Sequence, residues 1–128
     1  GKWIPDTPSR RRAILTMLRP WSVFSNSSPV EGIERAIRTF AAPDKKVSIY
    51  VFGDEFSGGS IDNVLDRVER MNPRDAQGNR LVRIHAIGFP VMFSIGGVND
   101  TTGVRFATLM RLLCEQNDGS FVALGSLR

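Results

Sequence analysis

The chain has one cysteine, one histidine and one tyrosine among its 128 residues. A single cysteine excludes an intrachain disulfide framework and a cysteine-rich metal site. Cys114 lies beside Leu112 and Leu113 in a helical stretch, so it reads as a buried, inert thiol. His85 sits mid-strand between Ile84 and Ala86 and has no second histidine to join it on a metal, so it reads as structural. Nothing in the sequence brings Cys114 and His85 together as a nucleophile and its base. No apolar run approaches the length of a membrane span, and no direct membrane contact is expected. The start, Gly1 to Asp6, has neither a signal-peptide apolar stretch nor a Met, as expected of a trimmed chain. The compartment is not encoded.

Three nucleotide and hydrolase signatures are also missing. There is no Gly-x-Gly-x-x-Gly after a strand, no Gly-Lys-Ser/Thr phosphate loop and no Gly-x-Ser-x-Gly elbow. Net charge is +4, and much of the excess sits in Arg10-Arg11-Arg12, which reads as the polar side of one helix. Nucleic-acid binding through these arginines would be steeply salt-dependent. It ranks last, because no known motif or aromatic interleaving accompanies them.

What is present is enough for a core. Apolar residues make up 41% of the chain, and 128 residues form one domain or part of one. Trp3-Ile4 reads as the tail of a strand cut by Pro5. Thr7-Pro8-Ser9 starts a helix with Ala13, Ile14, Met17 and Leu18 at helical spacing, and Pro20 ends it. Ser28-Pro29-Val30-Glu31 is a second start, with a capping hydroxyl and a capping-box Glu. Val47–Phe52 is a strand, and its near-continuous apolar run predicts burial on both faces. Ser60 caps a helix bearing Ile61, Val64, Leu65 and Val68, which Asn72-Pro73 stops. Leu81–Phe89 is the next strand. Pro90–Gly103 reads as a long loop, Val104–Gln116 as helix, and Ser120–Leu124 as the last strand after an Asn117-Asp118-Gly119 stop. Strands alternating with helices predict an α/β fold with parallel strands, right-handed crossovers and helices on both faces.

The carboxylates Asp54 and Glu55 follow the first strong strand at once, where open α/β sheets bind ligands. They read either as a solvated loop or as part of a hard-cation site, which prefers carboxylate and hydroxyl oxygens. Ser25-Asn26-Ser27-Ser28, just ahead of a helix, can supply hydroxyls.

The series of segments resembles the von Willebrand factor type A family. Ser27-Ser28-Pro29-Val30-Glu31-Gly32-Ile33 is similar to its segment in which a Thr precedes a helix. Ile49–Glu55 resembles the strand that usually ends in Thr-Asp-Gly. Arg83–Phe89 resembles the following strand, and Arg105–Met110 with Gly119–Phe121 the last helix and strand. The resemblance covers nearly the whole chain but only the carboxy-terminal half of the family's domain. It implies a Rossmann-like three-layer α/β/α fold with a mostly parallel sheet, partial here, over residues 1–128.

That family holds a metal ion at the carboxyl edge of its sheet. Ser27 falls on the family's second-loop Thr, and Asp54 on its third-loop Asp. The resemblance therefore implies Ser27 and Asp54 as metal ligands only if upstream residues complete the site. No Asp-x-Ser-x-Ser occurs in this sequence, so this chain alone is expected to carry no cofactor, with Mg²⁺ reserved for a complete domain.

The function implied is non-enzymatic binding of a protein partner at the carboxyl edge, through Glu55, Asn99 and Asp100 beside the metal positions. The rival is a metal-dependent hydrolase acting on a phosphorylated substrate through Asp54 and Glu55. The family's first strand would lie beside Val47–Phe52. Its absence predicts an open edge there and pairing through it, between copies or within a longer chain.

Overall fold

Three helix starts read from the sequence carry their caps. In the computed structural model, which describes residues 2–20, 28–89 and 101–124, Thr7 opens α1 (Pro8–Leu18) and its hydroxyl accepts from Arg10 N. Ser28 likewise opens α2 (Pro29–Phe40) and accepts from Glu31 N. Ser60 opens α3 (Ile61–Met71) and accepts from Asn63 N. Three strands follow the predicted positions: β1 (Val47–Gly53), β2 (Val82–Gly88) and β3 (Phe121–Ala123). They form one parallel sheet in the order β1-β2-β3, with Val47 opposite Val82 and Ala86 opposite Phe121.

The last helix, α4 (Thr101–Gln116), starts three residues before the expected Val104. Gly103 therefore belongs to a helix rather than to the end of a loop. The expected strand tail at Trp3-Ile4 is not found, and residues 2–7 hold no strand. The Trp3 ring packs on Phe40 instead, with centroids 5.0 Å apart, at the end of α2. The apolar stripe expected on α1 also differs, since none of its residues is buried.

The α/β class is as expected, while the described residues account for fewer layers than expected. A chain that steps β1, β2, β3 in one direction, with crossovers of one hand, lays both crossover helices on the same face. The packing agrees: α3 lies beside both α2 and α4, α2 covers β1, and α4 covers β2 and β3. Val30, Ile33 and Ile37 of α2, Val64 and Val68 of α3, and Phe106, Leu109 and Leu113 of α4 bury against Val47, Val51, Val82, Ile84 and Ala86 of the sheet. Among the described residues the fold is α/β with one helical layer on the sheet, and the third layer is not seen.

Among the described residues no helix covers the opposite face of the sheet. Tyr50 and Phe52 are 61% and 63% exposed, so β1 is buried on one face rather than two. Tyr50 stacks on His85 at 4.9 Å, and Phe52 on Phe89 at 6.4 Å. The Nδ1 atom of His85 accepts from Ser120 N at 3.2 Å, in keeping with a structural role. Cys114 is buried, and burial pushes its thiol up to about 11, which removes the thiolate at neutral pH.

Candidate functional site

The carboxyl edge of the sheet is built on a close approach. Gly53 ends β1 where a Cβ would meet the Phe106 ring at 2.8 Å, so a side chain there would force the buried Phe106 ring of α4 to shift. Asp54 and Glu55 follow and are both exposed. Phe56 then turns inward and is buried, and its N–H donates to Thr102 O at 3.1 Å. The Arg105 guanidinium lies 5.5 Å from the Phe56 ring and donates to the carbonyls of Gly58 and Gly59. The loop after β1 is therefore fastened to the first turns of α4. Its two carboxylates are left facing out from an anchored frame.

Asp54 stands between two clefts that share Phe106 as a wall. The smaller, about 350 Å³, lies between α4 and the ends of β2 and β3, against Gly88, Phe89, Val104 and Leu124. The larger, about 720 Å³, runs between α2 and β1. Pro29, Gly32, Ile33 and Ala36 form its helical wall, Ile49 to Gly53 its strand wall, and Asp54 with Glu55 its mouth. Gly32 and Ala36 are small and one helical turn apart, and a Cβ built on Gly32 meets nothing within 4 Å. This groove is open because β1 is the edge strand and no described strand lies beyond it.

The structure thus brings Asp54 and Glu55 to the sheet edge and sets Ser28 into the same groove. Ser27, Asn99 and Asp100 lie outside the described residues. Among the described residues no three His, Cys, Asp or Glu side chains gather as a metal cluster. Asp54 with Glu55 does not by itself supply the oxygen donors a hard cation needs.

Sequence reasoning missed the polar cluster at the opposite, amino end of the sheet. Arg80 is buried there and donates to Asn72 O, to Gln116 O at 3.0 Å and to the Glu69 carboxylate. Asn72 Nδ2 donates to Val82 O at 2.7 Å and to Asn117 Oδ1 at 2.8 Å, while Asn72 Oδ1 accepts from Val82 N. Asp118, at φ 54°, accepts from Arg74 at 2.9 Å and from Arg80 N at 3.0 Å. The Arg80 guanidinium holds the Glu69 carboxyl below the usual range, and the Arg80 N–H and Arg74 do the same to Asp118. These groups join α3, β2 and α4 and line no part of either carboxyl-edge cleft. The sequence signal for it is the density of Arg and Asn around Asn72-Pro73, from Arg67 to Arg80.

No family model, curated protein or solved structure matches the chain.

Proposed function

We propose that the chain is a non-enzymatic protein-binding module, resembling the carboxy-terminal part of a von Willebrand factor type A domain. It receives an extended polypeptide segment at the carboxyl edge, in the groove between α2 and the free edge of β1. The observation that carries this reading is the groove itself. It is walled by the small residues Gly32 and Ala36 on α2 and by the edge of β1, which no other described strand pairs, with Asp54 and Glu55 at its mouth. Strand edges bind extended segments through main-chain hydrogen bonds, and pockets beside them select side chains. The fastened loop after β1 favours binding, because the carboxylates are positioned before a partner arrives.

The metal positions Ser27 and Asp54 stay conditional on oxygen donors from elsewhere, and the polypeptide contacts above do not depend on them.

The test is selection of a random-peptide phage library on the chain and on Gly32→Phe, which fills the groove. Enriched peptides are expected to lose at least about tenfold in affinity, or ~1.4 kcal/mol, on the variant. They should also slow amide exchange at Ser48, Tyr50 and Phe52. Peptides that bind both proteins equally, or no enrichment at all, would sink the reading.

A further inference from the structure

We propose that the segment this groove receives is β1 of a second copy, paired antiparallel with Tyr50 opposite its own counterpart. The inference rests on the proposed binding role of the groove and names its occupant.

The backbone sets which groups are free. In the parallel pair with β2, Val47 N donates to Leu81 O and Gly53 O accepts from Phe89 N. The odd-numbered residues of β1 therefore serve the ladder to β2. By alternation, the N–H and C=O of Ser48, Tyr50 and Phe52 point to the other edge. An antiparallel partner must bond to these even-numbered residues. A slip of one residue would turn the partner's core side chains to the wrong face. Only registers differing by two residues remain.

Charge chooses among them. Lys45-Lys46 precede β1 and Asp54-Glu55 follow it. With Tyr50 opposite Tyr50, Lys46 stands across from Asp54 of the second copy and Lys45 across from its Glu55, twice over by symmetry. A shift of two residues in either direction loses both pairings. A parallel arrangement sets lysines beside lysines and carboxylates beside carboxylates. All four side chains are exposed, and among the described residues none of them takes part in an ion pair. Lys45 Nζ lies 5.8 Å from the centroid of the exposed Trp3 ring.

Shape agrees with charge. The twofold axis of such a pair is perpendicular to the sheet, so both helical layers stay on one face. Ile49 and Val51 of the second copy then enter the groove beneath Gly32 and Ala36. The strand itself offers no defence against pairing, since Val47–Gly53 contains no proline and no charged side chain. The result is one six-stranded sheet made from two three-stranded ones.

Sedimentation velocity tests this, with two charge-reversed variants whose substitutions are all at exposed positions. Lys45→Glu with Lys46→Glu makes both ends of β1 acidic, and Asp54→Lys with Glu55→Lys makes both ends basic. The unaltered chain is expected to sediment at twice its 14.2 kDa on concentration. Each variant alone should associate at least about tenfold more weakly. An equimolar mixture of the two should recover the dimer, with circular dichroism unchanged throughout. Association of either variant as strong as that of the unaltered chain overturns the register. A monomer at every concentration overturns the pairing. If that monomer still takes up groove-dependent peptides, the binding role stands without self-association. If it takes up none, both readings fall.

Discussion

Asn72 occupies a position where a helix stop needs only a turn-prone residue. It does more, replacing a missing stretch of sheet ladder. Its amide closes two hydrogen bonds with the backbone of Val82 and a third with Asn117. Truncation would leave the Val82 N–H and C=O and the Asn117 Oδ1 in a fully buried place without these bonds. A buried group stranded in this way costs about 1–3 kcal/mol. Asn72→Ala is therefore expected to lower stability by at least ~2 kcal/mol in urea unfolding, and Asn63→Ala, exposed on α3, by under ~0.5 kcal/mol. An equal loss at both positions would refute the ladder role. The sequence marks Asn72 as a stop because Pro73 follows it. Its burial is not legible, because the partners lie 10 and 45 residues away.

At the scale of elements, local signals suffice where an element's cause is local. Ser28, Ser60 and Thr7 place three helix starts within a residue, because a hydroxyl bonded to an N–H three residues on is a short-range fact. The strands are legible for the same reason. What a helix packs against is not local. Thr7-Pro8 and Ser28-Pro29 look alike in sequence. Yet α1 buries nothing, while α2 buries Val30, Ile33 and Ile37. The two caps should therefore differ in effect. Ser28→Ala is expected to lower global stability by ~1 kcal/mol. Thr7→Ala should leave the unfolding midpoint in place and lower only helical circular dichroism, because fraying of α1 uncouples nothing from the core. A matching shift of the midpoint for Thr7→Ala would mean that α1 is packed.

For the whole molecule, the ends of the sheet differ in kind. The carboxyl end is a fixed frame with outward carboxylates beside a groove. The amino end is closed by Arg80 across α3, β2 and α4. The apolar run of β1 misleads about layers because Tyr50 and Phe52 face outward. Strand order, which the sequence does not encode directly, puts all the packed helices on the other side. The closed end makes stability depend on acid. Glu69 and Asp118 have carboxyls depressed in the fold, so they stabilise it fully above their unfolded pKa values, roughly 3.9–4.3. That contribution is lost as pH falls through the lower folded values, where the unfolded chain binds more protons. Urea midpoints are thus expected to hold from neutrality to about pH 5 and to drop below ~4. In Arg80→Met, Glu69 loses its main partner and its affinity for protons moves back toward the ordinary value, with only Gln116 and Arg74 still lowering it. That variant should be less stable at neutral pH and flatter in acid. An acid limb as steep as that of the unaltered chain would show that the lost stability comes from carboxylates other than the Glu69 held by Arg80.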